Sequence, residues 1–114
     1  GRILIEAARR YGARGVGIDI DAGLIETART AAAAAGVADK VTFRVGDLFA
    51  ADVREATVVT LYLLPSMNAR LAPMLRRQLR PGARVVSNSF DMGDWTPTAR
   101  IPVDATAVFL WRIQ

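Results

Sequence analysis

Gly15-Val16-Gly17-Ile18-Asp19-Ile20-Asp21 is the stretch on which the reading of this chain turns. Small and apolar residues run into a carboxylate, as in a short buried strand that ends in charge, and Asp21 stands where a helix N-cap belongs. In an open α/β sheet, ligands bind outside the carboxyl ends of the strands. A carboxylate delivered there can accept hydrogen bonds from the hydroxyls of a ribose. The plainer role for an aspartate at this place is to cap the next helix. Asp21 can do that, which leaves Asp19 without a structural duty and makes it the first candidate site residue.

On the N-terminal side of this stretch, Leu4, Ala7, Ala8 and Tyr11 recur at helical spacing, and Gly12 sits where a left-handed C-terminal residue belongs. The helical pattern starts at once. A domain of this class opens on a strand, so residues 1–114 are expected to form one partial domain lacking the first strand.

On the C-terminal side, the near-continuous apolar run over 14–19 predicts a strand covered on both faces. Leu24, Ile25, Ala28, Ala31, Ala32 and Ala35 predict a helix that Gly36 ends. Val41, Phe43 and Val45 alternate with Thr42 and Arg44, the pattern of a half-exposed edge strand. Gly46-Asp47-Leu48-Phe49 then turns, with a second carboxylate just past a strand end. Residues 56–64 give the strongest strand pattern, read as central in the sheet. Ser66 is placed to cap a helix carrying Met67, Leu71, Leu75 and Leu79, with Arg76, Arg77 and Arg80 in its last turn. Pro73 is expected to kink or split that helix, and Pro81-Gly82 to stop it. A strand over 83–90, a polar loop over 91–95 and a final strand over 106–113 complete the pattern. The alternation of strands and helices is that of a doubly wound, mostly parallel α/β sheet.

Composition narrows the chemistry. The chain has 114 residues, of which 52% are hydrophobic, enough for one small domain. No apolar run approaches the roughly 20 residues of a membrane helix. Neither an initiator Met nor a charged-then-apolar leader opens the sequence, so a cytoplasmic location is expected. Without cysteine there are no disulfides and no thiolate zinc sites, and without histidine there is no Ser-His or Cys-His catalytic arrangement. The net charge is +4, and every basic residue except Lys40 is arginine. Those arginines are scattered along helix faces with few aromatics between them, which argues against a nucleic-acid surface.

With both carboxylates placed, the chain resembles class I S-adenosylmethionine-dependent methyltransferases, from the end of their first motif onward and over nearly its whole length. Gly1, with Arg2-Ile3-Leu4-Ile5, matches the end of that family's glycine-rich loop. Gly17-Ile18-Asp19-Ile20-Asp21 matches the acidic end of the second strand, and Val45-Gly46-Asp47-Leu48 the acidic residue after the third. Residues 57–64 and Leu79-Arg80-Pro81-Gly82 match the fourth strand and the turn before the fifth. The resemblance implies a Rossmann-like fold of methyltransferase type, incomplete here, with S-adenosyl-L-methionine as cofactor. It implies that Asp19 holds the ribose hydroxyls and that Asp47 accepts from the exocyclic amine of adenine. Ile20 and Leu48 would flank the ring, Gly1 would let the backbone approach the methionine end, and Tyr62 would face the methyl group and the acceptor.

A catalytic base is not assigned. Asp91 and Asp94 are the nearest candidates, with loop capping as their plainer role. Leu63-Leu64-Pro65-Ser66 is unlike the Asn/Asp-Pro-Pro-Tyr/Phe sequence of amino-methylating DNA enzymes. Residues 58–65 together with 90–95 resemble small bacterial methyltransferases, which in turn resemble mitochondrial protein-lysine methyltransferases, so a protein lysine is the acceptor the resemblance suggests. An NAD-dependent oxidoreductase remains an alternative, since it too ends its second strand in an acid. Its decisive glycine pattern would lie upstream of Gly1, and Asp47 favours the methyltransferase. A non-catalytic α/β domain is the other alternative: in the family's strand order the first strand lies between the second and the fourth, and lacking it would leave two strand edges unpaired and the cofactor weakly held.

Overall fold

The computed structural model describes residues 2–61, 63, 65–88, 92, 95–103 and 106–113. They fall into two compact units, Gly1–Ala51 and Asp52–Gln114, each described by itself.

The first unit contains α1 (Arg2–Tyr11), β1 (Gly15–Asp19), α2 (Ala22–Ala34), β2 (Val41–Val45) and a short 3-10 turn over Leu48–Ala50. β1 and β2 are parallel, in register from Gly15 opposite Val41 to Asp19 opposite Val45. Ile5 and Ala8 of α1, Ile25 and Ala32 of α2, and Val37, Val41 and Phe43 form one core, with Leu4, Ala28 and Ala35 packed against it. Gly12 and Gly36 end the two helices at φ +67° and +74°, the left-handed conformation that glycine adopts without a Cβ penalty. Three expectations shift. Tyr11 is 82% exposed, because α1 meets the core through its middle turns at Ile5 and Ala8 rather than through its last residue. Leu24 is exposed too, one step of about 100° round the helix from the buried stripe that starts at Ile25. On β1, Val16 is exposed, so the apolar run did not mean that both faces are covered.

The second unit contains β3 (Val58–Leu61), α3 (Pro65–Gln78), β4 (Arg84–Asn88), β5 (Ala99–Val103) and β6 (Thr106–Arg112). The sheet runs β3-β4-β6-β5, with β3 parallel to β4 and the other pairs antiparallel. Leu71, Ala72, Met74 and Leu75 of α3 are buried, as are Leu79, Val85, Met92, Ala107 and Trp111. The Trp111 indole, fully buried, donates to the Trp95 carbonyl at 2.7 Å.

Here the corrections are larger. β3 is shorter than the apolar run over 56–64 and lies at an end of its sheet, not its centre. An apolar run carries no information about a strand's lateral neighbours, and on β3 as on β1 it did not mean full cover, since Val58 is exposed. α3 continues through Pro73 instead of splitting. Pro73 lies on an exposed face, where the carbonyl it leaves unpaired is at Ala69, also exposed, so water can serve it. Helix α3 starts on Pro65, whose fixed φ suits a first helical residue, and Ser66 is therefore inside the helix rather than its cap. β5 was not expected at all, since Pro102 breaks its pattern. As the outermost strand it tolerates proline.

The α/β fold class is the expected one, each unit holding one parallel strand pair. The two unpaired edges foreseen for such a sheet are also present: among the described residues β1 bonds only β2, and β3 only β4.

Candidate functional site

Asp19 closes β1 and Asp47 follows the end of β2. The parallel register puts both at the same end of the two-stranded sheet. A further bond tightens that end: the Gly46 amide donates to the Asp19 carbonyl at 3.0 Å. Each side chain folds back on its own backbone. Asp19 Oδ1 accepts from the Asp21 amide at 2.9 Å, and Asp47 Oδ1 accepts from the Phe49 amide at 2.9 Å. Asp21 caps α2 as expected, its Oδ1 accepting from the amides of Gly23 at 2.8 Å and Leu24 at 3.2 Å.

These bonds correct one expectation. Asp19 does have a structural duty, because the turn that hands β1 over to the cap of α2 uses one of its oxygens. The other oxygen, Oδ2, has no partner among the described residues, and the same is true of Asp47. Two carboxylates are thus oriented by short backbone turns, each with one acceptor oxygen to spare. Ile20, between Asp19 and Asp21, is 80% exposed, and Leu48, next to Asp47, is half-buried. An exposed isoleucine beside a carboxylate gives up apolar surface that a planar ring could cover.

The structure therefore brings together Asp19, Ile20, Asp47 and Leu48. Gly1 and Tyr62, as well as Asp91 and Asp94, lie outside the described residues. Two depressions in the first unit's surface lie elsewhere, on α2 between Glu26 and Ala34 and beside β2 around Arg29 and Phe43. They are shallow, and neither contains a carboxylate pair. No cluster of metal-ligating side chains occurs among the described residues. Sequence reasoning missed a buried polar pair in the second unit, Asn68 and Ser87, joined at 3.1 Å. The available signal was two polar residues at positions where the helical and strand periods call for apolar ones.

Residues 1–99 match the model of the ANTKMT methyltransferase domain. The chain belongs to that family. That family is one of class I S-adenosylmethionine-dependent methyltransferases, and relatives of known structure agree with the fold. A protein from Salinibacter ruber, described as an RNA methyltransferase in complex with S-adenosyl-L-homocysteine, is 58% identical. It superposes with a TM-score of 0.96 over 99% of this chain and 74% of its own. The protein-lysine N-methyltransferase of Saccharolobus islandicus is 38% identical over 105 residues, 91% of this chain and 65% of that protein. The adenine nucleotide translocase lysine N-methyltransferase of Mus musculus is 35% identical over 115 residues, 100% of this chain and 50% of that protein. The chain thus spans between half and two thirds of the length of these two curated relatives.

Proposed function

We propose that this methyltransferase domain binds S-adenosyl-L-methionine through Asp19 and Asp47 and takes part in methyl transfer to the ε-amine of a protein lysine. The observation that carries the reading is the pair of neighbouring strand-end carboxylates, each turned by its own backbone and each with Oδ2 available. The donor set of the cofactor fits them: ribose hydroxyls and an exocyclic amine both donate, and a carboxylate only accepts. Ile20 and Leu48 supply the apolar contact for adenine. The related structures that contain S-adenosyl-L-homocysteine support the same ligand.

The bound cofactor would supply an already activated methyl group on a sulfonium. The protein's work is then alignment for in-line displacement, in which the nitrogen–carbon bond forms as the sulfur–carbon bond breaks. A lysine ammonium, with an ordinary pKa of about 10.4, must lose a proton before its nitrogen can attack. With no histidine or cysteine among these 114 residues, a side chain of this chain that took that proton would be a carboxylate or a tyrosine.

The lysine acceptor rests on the names of the curated relatives. One observation favours RNA instead: the Salinibacter ruber protein, 58% identical, is described as an RNA methyltransferase. Arg84 and Arg112, directly opposed on β4 and β6 and both exposed, are a like-charge pair that a phosphate could bridge. The two acceptors separate cleanly by experiment. The protein is incubated with methyl-labelled S-adenosylmethionine and either cell protein or total RNA, and the labelled position is found by mass spectrometry. Label on lysine Nε is expected. Label in RNA alone would replace the acceptor, and no calorimetric binding of S-adenosyl-L-homocysteine would remove the whole reading.

A further inference from the structure

β3 and β4 are parallel, with Leu61 opposite Ser87, so their carboxyl ends lie side by side. α3 starts at Pro65, soon after β3 ends. Its first turn is tied to the end of β4 by Asn68, whose Nδ2 donates to Ser87 Oγ at 3.1 Å. Both residues are fully buried. They interrupt buried surfaces that are otherwise apolar, Leu71, Ala72 and Leu75 on α3 and Val85 on β4.

Burying an amide and a hydroxyl carries a desolvation cost that two apolar side chains of similar volume avoid. Packing alone does not explain the pair. What it adds is direction: a buried hydrogen bond fixes the amide's rotamer and sets the first turn of α3 against one point of the strand end. That point lies at the carboxyl ends of parallel strands, where an open α/β sheet places its chemistry.

We infer that Asn68 and Ser87 are a positioning pair for the methyl acceptor. The pair holds the first turn of α3 against the carboxyl end of β4, so that the acceptor meets one fixed surface of this unit. The inference rests on the methyl-transfer reading above and gives neither residue a contact with cofactor or acceptor. A misplacement of about 1 Å at a reacting centre costs on the order of a hundredfold in rate. A clamp at this place therefore controls kcat, whereas the carboxylates of the first unit control cofactor affinity.

The test compares Ser87→Ala, Ser87→Thr and Asn68→Leu with the wild-type protein. Affinity for S-adenosyl-L-homocysteine is measured by calorimetry, and steady-state transfer is measured to the acceptor the wild type methylates. Ser87→Ala and Asn68→Leu should each lower kcat roughly ten- to a hundredfold with unchanged affinity for S-adenosyl-L-homocysteine. Ser87→Thr keeps the hydroxyl and should recover most of the rate. Combining Ser87→Ala with Asn68→Leu should be no worse than the poorer single variant, because the two share one bond. A lower Tm with unchanged kcat would overturn the inference, and so would cofactor affinity falling in step with kcat. If Asn68→Leu fails to fold, the contrast between alanine and threonine at position 87 decides alone. A wild-type protein that methylates neither lysine nor RNA is a separate outcome, seen before any variant is made, and it removes the methyl-transfer reading together with this inference.

Discussion

At the scale of single residues, Asp19 and Asp47 are proposed to carry two roles on one carboxylate: one oxygen closes a turn and the other is left to accept from a ligand. The roles can be separated by choosing the substitution. Asp19→Ala removes both, and its loss of binding would not show which mattered. Asp19→Asn keeps an oxygen for the Asp21 amide while removing the charge and the second acceptor. A hydrogen bond to a charged group contributes about 1.5–3 kcal/mol, so Asp19→Asn should weaken S-adenosyl-L-homocysteine binding on the order of ten- to a hundredfold by calorimetry. Asp47→Asn should cost less, roughly tenfold, at the lower end of that range, because Asp47 would accept one bond from the adenine amine where Asp19 would accept from two hydroxyls. Affinity unchanged in Asp19→Asn but lost in Asp19→Ala would assign Asp19 to the turn alone. Both aspartates were legible in the sequence because a carboxylate at the end of an apolar run is a local signal. The competing duty of Asp19 was not, since which amide an aspartate captures depends on the turn's backbone angles. The bond between Asn68 and Ser87 was hidden for a different reason: it joins residues far apart in sequence, and neither carries a pattern that names its partner.

At the scale of elements, periodicity found both helices of the first unit, both of its strands and the long helix of the second. It failed at two exposed prolines, Pro73 and Pro102. In α3, Pro73 was expected to kink or split the helix, and the helix runs unsplit from Pro65 to Gln78. In β5, Pro102 hid a strand that exists because an outermost strand needs only one side's hydrogen bonds. Proline is a strong signal about the bond it cannot make, and its effect depends on whether water stands ready to replace that bond. This gives a prediction for α3. A proline in a helix interior costs about 3 kcal/mol relative to alanine. Part of that cost is already relieved, because Pro73 and Ala69 are both exposed. Pro73→Ala should restore the amide and stabilise the fold by about 1–2 kcal/mol, raising Tm by several degrees in a thermal melt followed by circular dichroism. A lower Tm would mean that the pyrrolidine ring makes packing contacts that outweigh the recovered hydrogen bond.

At the scale of the whole molecule, the strand edges govern how the protein behaves towards other copies of itself. An unpaired edge is a template for intermolecular pairing, and natural sheets blunt such edges. The outer edge of β2 is blunted by Arg29, whose Nε and Nη2 both donate to the Phe43 carbonyl, at 3.2 and 2.8 Å. The Val41 amide is used as well, donating to the Val37 carbonyl at 3.2 Å. β5 is the outermost strand of the other sheet, and Ile101 and Val103 on it are exposed. Apolar side chains on an outermost strand favour association, and Pro102 between them works against it by withholding an amide. Arg100 adds a charge to the same strand, exposed and without a carboxylate partner among the described residues. Replacing Pro102 with threonine supplies the amide and a β-branched side chain suited to a strand. Pro102→Thr should therefore raise the weight-average mass above that of the wild type at equal concentration, increasingly so on concentration, in size-exclusion chromatography with light scattering. Equal masses for variant and wild type across the whole concentration series would show that Pro102 is not what keeps this edge closed, and would shift that role to the Arg100 charge, which Arg100→Thr in the same assay would expose.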